Sequence, residues 1–403
     1  MKGDASLNAM GNRWLLPEAV DEFLPPEAEA LERLRRELLD MFFSWGYELV
    51  IPPLIEYIES LLVGTGNDLD LETFKLIDQS TGRLLGLRAD ITPQAARIDS
   101  HHLMRQGPQR LCYLDSVVRT RRHGFASSRN PLQVGGELYG HAGIESDIEV
   151  LRLMVRTLRV AGLDHFHIDL GHVGIFRVLA REAGLDAAQE STLFNALQRK
   201  AKPEIESYLA SLAVDDASRR RLIALVELNG NEGVLDEARA QLRGAGREVA
   251  AALDSLHQVA EATQCQLATI ALHYDLAELR GYRYQSGVVF AAFVPGHGRE
   301  IARGGRYDDI GHLFGRARPA TGFSTDLKTL LALGRIQAPR AKAILAPPWS
   351  EDDELRKLIR RLRADGERVI YTLPGQPIDL TELDCDRRIE RRDGKWTVMA
   401  AGV

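Results

Sequence analysis

Apolar residues at three- and four-residue intervals follow a tandem proline, Pro25-Pro26, near the start of the chain. This spacing places one apolar stripe along a helix, which Gly46 ends. The run from Tyr47 to Ile51 then predicts a short strand. The stripe consists of Leu31, Leu34, Leu38, Met41, Phe42 and Trp45.

Short apolar runs bounded by turn residues predict paired strands further along the chain. Between Phe74 and Leu87 the turn residues from Asp78 to Gly82 indicate a hairpin. A helix pattern over Phe323–Leu333 closes this part of the sequence. The other predicted strands are Leu111–Thr120, Leu132–Tyr139, Val288–Phe293 and Glu300–Ala302.

The middle of the chain, Ile148–Cys265, has a mostly helical pattern with one alternating strand around Phe166–Leu170. Strands and helices are segregated along the chain, which favours an α+β fold with an antiparallel sheet. We expect a large domain over residues 1–338 with a helical insertion at about 175–265.

The last part of the sequence predicts a small α/β domain over residues 339–403. Its pattern gives a strand at Ile344–Ala346, a helix at Asp352–Arg363 and a strand at Val369–Leu373. A final hairpin is expected to turn at Asp393-Gly394.

The composition of the chain limits which ligands and which cellular location we expect. The chain has 51 Lys and Arg against 57 Asp and Glu, a net charge of −6, which gives no overall attraction for nucleic acid. Its three cysteines form no CxxC pair, and the HxH at His165 and His167 has no third ligand nearby, so we expect reduced thiols and no metal site. We find no membrane span or leader and expect a cytoplasmic protein.

Four polar segments stand out together, and their order and spacing resemble the core of class II histidyl-tRNA synthetases over roughly residues 12–335. Pro52–Glu56 is similar to the family's motif 1, Arg119–Glu137 to motif 2, and Gly322-Phe323 opens motif 3. Two segments match the signatures of the histidyl branch, Arg280–Tyr284 and Gly304–Asp308. The four segments are Leu87–Thr92, Val118–Arg121, Gln133–Glu137 and Arg280–Tyr284.

The resemblance implies a class II synthetase-like antiparallel sheet flanked by helices, and a pocket for L-histidine. Free histidine presents an ammonium, a carboxylate and an imidazole, which need acceptors, cations and a polar clamp. Any single residue of the set could instead be a structural ion pair, whereas seven at the expected positions favour a pocket. By resemblance, Asp90, Thr92 and Gln133 receive the ammonium, Arg119 and Arg280 face the carboxylate, and Glu137 with Tyr284 holds the ring.

A carboxylate beside the imidazole would stabilise the protonated ring. We therefore expect histidine binding to retain or take up a proton near neutral pH. Glu137 is the acid to which this expectation applies.

The sequence departs from the synthetases where ATP would be activated. The acid expected two residues after Arg119 is Arg121, and the arginine expected near the end of motif 3 is Thr329. Activation needs charged groups that orient the triphosphate, so we expect no aminoacylation, no catalytic residue and no cofactor. Arg129 matches the terminal arginine of the motif 2 loop, which leaves phosphate binding without chemistry open. Too few residues follow Pro339 for the usual anticodon-binding domain, so tRNA recognition is not expected.

A histidine pocket without the adenylate machinery is similar to the regulatory subunits that pair with a short-form ATP phosphoribosyltransferase catalytic subunit. The resemblance implies a non-catalytic regulator, required for the first step of L-histidine biosynthesis and for its feedback inhibition. It also implies a homodimer within a hetero-oligomer, with the motif 1 helix and strand at the two-fold interface. The Leu31–Trp45 stripe is compatible with such an interface, and packing in the core would explain it equally well. Whether inhibitory histidine occupies this pocket or a subunit interface stays open.

Two other classes of function remain. One is an active histidyl-tRNA synthetase-like enzyme or another aminoacyl-adenylate-forming ligase, which Arg121 and Thr329 argue against. The other is a stand-alone histidine-binding or RNA-associated adaptor without a transferase partner.

Overall fold

The computed structural model describes residues 14–62, 67–122, 128–266, 270–278, 281–282, 284–308, 310–334, 341–375 and 377–401, with side chains at all of these except 67, 68, 265, 266, 312 and 313. The chain divides into two compact units, Met1–Ile336 and Gln337–Val403. Within the described ranges, no helix is both long and apolar enough to cross a membrane.

The large unit is built on a nine-stranded sheet in the order β1-β5-β6-β12-β11-β10-β7-β9-β8, and β2, β4 and β3 form a separate small sheet. The β1–β5 and β7–β9 pairs are parallel and the other neighbours in the large sheet are antiparallel. The strands are β1 (Glu48–Leu49), β2 (Ile55–Tyr57), β3 (Phe74–Ile77), β4 (Leu84–Leu87), β5 (Gln109–Ser116), β6 (Leu132–Tyr139), β7 (His167–His172), β8 (Asn229–Gly230), β9 (Ala271–Asp275), β10 (Val288–Phe293), β11 (Glu300–Arg306) and β12 (Ala320–Asp326).

Helices pack around this sheet, and those from α6 to α11 lie between β7 and β9 in the chain. A π-helical turn, Ile98–Leu103, continues α4, and a 3-10 turn covers Ile310–Phe314. The helices are α1 (Glu27–Ser44), α2 (Ile58–Leu61), α3 (Asn67–Glu72), α4 (Thr92–Arg97), α5 (Ile144–Val160), α6 (Val173–Glu182), α7 (Ala187–Gln198), α8 (Lys202–Ala210), α9 (Asp216–Ala224), α10 (Gly233–Gln241), α11 (Arg247–Gln266) and α12 (Leu327–Leu333).

The main hydrophobic core joins α1, α5, α6 and α11 to one face of the sheet. Leu34 and Leu38 of the predicted stripe are fully buried in it. Successive side chains of a strand point to opposite faces, so Val134 and Leu138 enter this core whereas Glu137 points to the other face. That other face carries the candidate site.

Most predicted elements are confirmed, and the main correction concerns a helix. The helix predicted over Phe323–Leu333 is wrong for its first four residues, because β12 runs to Asp326 and α12 begins at Leu327. β12 lies between β6 and β11 inside the sheet, and its first four residues are all buried. A strand buried on both faces shows no alternation that would distinguish it from a helix. The strand predicted at Tyr47–Ile51 is shorter, the strand predicted at Leu111–Thr120 ends at Ser116, and β2, β8 and β9 were not predicted.

The small unit has a four-stranded sheet in the order β14-β13-β15-β16, in which β13 is parallel to both of its neighbours. The predicted hairpin is present, and Asp393 and Gly394 at its turn have φ values of 49° and 80°. The Asp352 carboxylate caps the helix by accepting from the backbone N–H of Glu354 and Leu355. The elements are β13 (Ala343–Ala346), α13 (Asp353–Ala364), β14 (Val369–Tyr371), β15 (Cys385–Arg392) and β16 (Lys395–Ala400).

Candidate functional site

A buried acid, Glu137, lies near the end of β6 with 1% of its surface exposed. Its Oε1 accepts hydrogen bonds from the hydroxyls of Tyr113 at 2.9 Å and Thr92 at 3.1 Å. Its Oε2 accepts one from the Tyr307 hydroxyl. Burial raises the pKa of Glu137 to about 8, although the three hydroxyl groups oppose that rise. Burial therefore favours the protonated, neutral form of this carboxyl group over the range where an exposed glutamate is ionised.

The strand register explains how the Glu137 side chain fits. β12 pairs with β6 so that Gly322 lies opposite Glu137. A Cβ atom on Gly322 would lie 1.5 Å from Glu137 Oε2. Glycine at this position therefore leaves the space that the acid occupies.

A second polar group forms where α4 begins. Asp90 Oδ1 accepts from the Thr92 backbone N–H at 2.9 Å and from Gln133 Nε2 at 2.8 Å. Gln133 Oε1 accepts from the Ile91 backbone N–H at 2.9 Å, so this amide bridges Asp90 and the start of the helix. The arrangement holds a half-buried carboxylate beside Glu137, where it can meet an ammonium group.

Two arginines stand on the same side of the sheet. Arg119 Nε donates to the Ala89 carbonyl at 3.2 Å and lies 4.0 Å from Glu72 Oε2. Arg303 comes from β11, and its Nη1 lies 3.7 Å from Glu300 Oε1. A guanidinium offers five donors, so either arginine can also bind a ligand carboxylate.

These groups line one cavity of about 600 Å³, a size typical of small-molecule sites. Its described lining includes five of the seven predicted histidine-binding residues, namely Asp90, Thr92, Arg119, Glu137 and Tyr284.

The other two predicted residues are placed differently. Gln133 lines a second cavity and donates a hydrogen bond to the Asp90 carboxylate. Arg280 lies outside the described residues. Tyr284 lies on the rim of the main cavity, where 43% of its surface is exposed.

The second cavity, of about 170 Å³, shares Arg119, Arg303 and Ser324 with the first. Thr329 lines it, and its hydroxyl donates to Asp326 Oδ2 at 2.9 Å. A threonine hydroxyl carries no charge, so it cannot do what an arginine would do for a polyphosphate.

The other positions flagged around the ATP region lie apart from both cavities. Arg121 is exposed and is absent from their described linings. Arg129 Nε donates to the Arg119 carbonyl at 3.0 Å, and its guanidinium lies 5.3 Å from the centre of the Phe74 ring.

Several functional residues were missed at the level of sequence. Tyr113 has no motif of its own, and Tyr307 and Arg303 lie in or beside a motif that was noted without a role for either residue. Phe194, Asn195 and Gln198 of α7 form one wall of the cavity, and nothing in the sequence pattern connects that helix to the site. No group of three potential metal ligands occurs among the described residues.

Comparison with known proteins identifies the family. The family profile described as histidyl-tRNA synthetase matches residues 19–330, and that described as the C-terminal domain of the ATP phosphoribosyltransferase subunit HisZ matches residues 341–399. An ATP phosphoribosyltransferase regulatory subunit from Thioalkalivibrio sulfidiphilus is 58% identical, covering 96% of this chain and 98% of that protein. The chain belongs to the ATP phosphoribosyltransferase regulatory subunit family. Another member, from Alkalilimnicola ehrlichii, is 57% identical over 95% of this chain and 96% of its own length.

A solved structure agrees with this family and fold. The ATP phosphoribosyltransferase regulatory subunit/histidyl-tRNA synthetase from Bacillus halodurans has a TM-score of 0.81 at 27% identity, covering 92% of this chain and 96% of that one. The predicted class II synthetase-like fold and the prediction of a regulatory subunit in histidine biosynthesis are thereby confirmed.

Proposed function

We propose that this regulatory subunit binds L-histidine in the cavity around Glu137 and transmits the histidine concentration to a short-form ATP phosphoribosyltransferase catalytic subunit. The observation that carries the proposal is the buried Glu137, held by three hydroxyl groups beside the Asp90 carboxylate. Feedback inhibition of the first step of histidine synthesis follows if the two proteins form one complex.

The three groups of histidine each have a partner in this arrangement. The imidazole takes Glu137 as its partner, and the ammonium meets the Asp90 carboxylate and the Thr92 hydroxyl. The carboxylate faces Arg119 and Arg303, both of which line the cavity. Amino acids without a basic ring would leave Glu137 without a ligand partner, which disfavours their binding.

The same site is unsuited to activating histidine with ATP. Thr329 lines the neighbouring cavity where the related synthetases would need a cation, and Arg121 reverses the charge of the expected acid. Binding without activation is what a sensor requires. We propose no role in tRNA recognition.

Histidine can change the activity of a partner only if it binds two conformations of the complex with different affinities. A coupling of about 1–3 kcal/mol corresponds to roughly 5- to 150-fold effects. We further propose a cytoplasmic homodimer within the hetero-oligomer, in which the end of α1 and β1 form the contact between copies. Phe43, Leu49 and Ile51 in this region are exposed apolar residues.

The test is phosphoribosyl-ATP formation by the short transferase, measured with and without this chain across a histidine titration. We expect activity to depend on the chain, and histidine to inhibit only when the chain is present. Activity that depends on neither would contradict the regulatory role. Histidine-dependent exchange of pyrophosphate into ATP by the chain alone would instead show an active ligase.

The variant Asp90→Asn tests whether inhibitory histidine binds in this cavity. Asp90→Asn keeps the shape of the side chain and removes the charge that meets the ammonium, so we expect activation of the transferase to persist and inhibition to require at least about tenfold more histidine. Asp164→Asn at an exposed position serves as the control. Unchanged inhibition of Asp90→Asn would place the inhibitory site elsewhere.

A further inference from the structure

The segment that carries Tyr284 is attached to the helical region through Tyr282. Tyr282 is 8% exposed, and its hydroxyl donates to Glu190 Oε1 at 2.5 Å. Its ring lies between Phe176 and Phe194, with centroid separations of 5.3 and 5.2 Å. Burial and the bond to Glu190 raise the pKa of Tyr282, so the hydroxyl remains a donor throughout the physiological range.

A second side chain holds the backbone of the same segment. Arg177 of α6 donates from Nη2 to the carbonyl of Tyr282 at 2.9 Å and to that of Gln285 at 3.0 Å. Its guanidinium carbon also lies 4.9 Å from the centre of the Tyr282 ring. The hydrogen bonds from Arg177 thus hold the described residues from 281 to 285 against α6. The hydrogen bond from Tyr282 to Glu190 holds them against α7.

Glu190 and Phe194 are four residues apart and lie on one face of α7. Phe194 and Tyr282 line the cavity, whereas Glu190 is absent from its described lining. Glu190 can therefore affect the ligand space only through Tyr282 and Phe194. Any effect of Glu190 on ligand affinity has to pass through the position of Tyr282 or of α7.

We propose that Tyr282 is a positioning residue whose bond to Glu190 holds the Tyr284 segment and α7 together as two walls of the histidine cavity. The inference rests on histidine binding as proposed above. It predicts that histidine affinity depends on a carboxylate that does not contact the ligand.

The experiment measures the dissociation constant of L-histidine by calorimetry on the full chain, with the melting temperature of each variant alongside. Tyr282→Phe and Glu190→Ala each remove the hydrogen bond, and Glu190→Gln keeps an acceptor for the hydroxyl. Tyr47→Phe is the matched control, because the Tyr47 hydroxyl donates to Glu149 at 3.2 Å and Tyr47 does not line the cavity. Tyr282→Phe retains the ring that packs on Phe176 and Phe194.

We expect about tenfold weaker binding in Tyr282→Phe and Glu190→Ala, the double variant no weaker than either, and near-native affinity in Glu190→Gln and Tyr47→Phe. If Tyr282→Phe does not fold, Glu190→Ala and Glu190→Gln still decide the question.

Native affinity in Glu190→Ala would overturn the inference while leaving histidine binding intact. Equal losses in Glu190→Ala and Tyr47→Phe would also overturn it, because the effect would then be a general loss of stability. A native chain that binds no histidine would overturn the proposed function itself.

Discussion

Glu137 brings a proton to the site, and the imidazole of histidine can carry one as well. The pKa of Glu137 is raised to about 8 by burial, whereas a free imidazole titrates at about 6.5. Between these two values the empty site holds one proton and the ligand ring holds none. A bound pair of carboxylate and imidazolium also contains one proton, so binding in this window neither takes up nor releases one.

The first prediction concerns the histidine affinity of the native chain divided by that of the Glu137→Gln variant. The titration of the ligand's own groups changes both affinities equally and therefore cancels in this ratio. Below about pH 8 native Glu137 supplies the proton of the pair, so the ratio should stay constant. Above about pH 8 the native site must take up a proton that the Gln variant does not need. The ratio should then fall about tenfold per pH unit, as calorimetric titrations from pH 6 to 9.5 would show.

The pH at which this ratio begins to fall separates two physical situations. If Glu137 were instead ionised in the site without ligand at neutral pH, the native complex would need one more proton than the free protein throughout the titration, and the ratio would already fall from pH 6 upwards. Such an early onset would contradict the neutral Glu137. A constant ratio up to pH 9.5 would contradict any contact between Glu137 and the imidazole.

Sequence similarity located both acids of the site, but it did not locate Arg303 or the hydroxyl groups that contact Glu137. Asp90 and Glu137 lie in segments that match family motifs, and the structure places both in one cavity. The hydroxyls of Tyr113 and Tyr307 reach Glu137 through the pairing of strands and the burial of one sheet face. That information is not contained in the spacing of residues along a single strand.

At the scale of elements, the register of β12 against β6 fixes the shape of the cavity floor. The second of these predictions is that Gly322→Ala displaces Glu137, because the new Cβ would lie 1.5 Å from Oε2. Overpacking of this kind costs about 1–3 kcal/mol of unfolding free energy. We also expect at least about tenfold weaker histidine binding, since the bond from Tyr307 would be lost. Urea denaturation and calorimetry measure the two effects.

Gly107→Ala is the control for this substitution. A Cβ at Gly107 meets nothing within 4 Å, so its unfolding free energy should change by less than about 0.5 kcal/mol. Native histidine affinity in Gly322→Ala would show that Glu137 does not need its observed position, and the proposed ring contact would fail.

A clear period in the sequence made some elements easier to predict than others. The stripe of α1 has a polar face and therefore a clear helical period. β12 is buried on both faces, so its sequence carries no two-residue alternation, and its last four residues were predicted as helix. β6 is buried as well, yet its strand was predicted over the residues that it spans. The contact of α7 with the cavity depends on how helices pack, which a single sequence does not encode as a local pattern.

At the scale of the whole molecule, every described residue that lines the two cavities belongs to the large unit. The large unit is also the part matched by the histidyl-tRNA synthetase profile, whereas the small unit is matched by the HisZ C-terminal profile. The cavity proposed to bind histidine and the part matched by the HisZ C-terminal profile thus lie in different units. In a dimer formed by a symmetric contact between two large units, each copy would contribute its own cavities to the assembly.

The last prediction tests this contact between copies. Phe43 in the last turn of α1 is 81% exposed, and Ile51, just after the edge strand β1, is 72% exposed. Burying a phenylalanine contributes about 2 kcal/mol, and a two-fold dimer buries it twice, so Phe43→Glu should weaken dimerisation by about 1000-fold or more. Analytical ultracentrifugation at micromolar concentration should find a native dimer and a Phe43→Glu monomer. Trp349→Glu, at a 63% exposed position of the small unit, should leave the dimer intact. A Phe43→Glu variant that stays dimeric would exclude this surface as the interface, because a glutamate cannot be buried there without a partner.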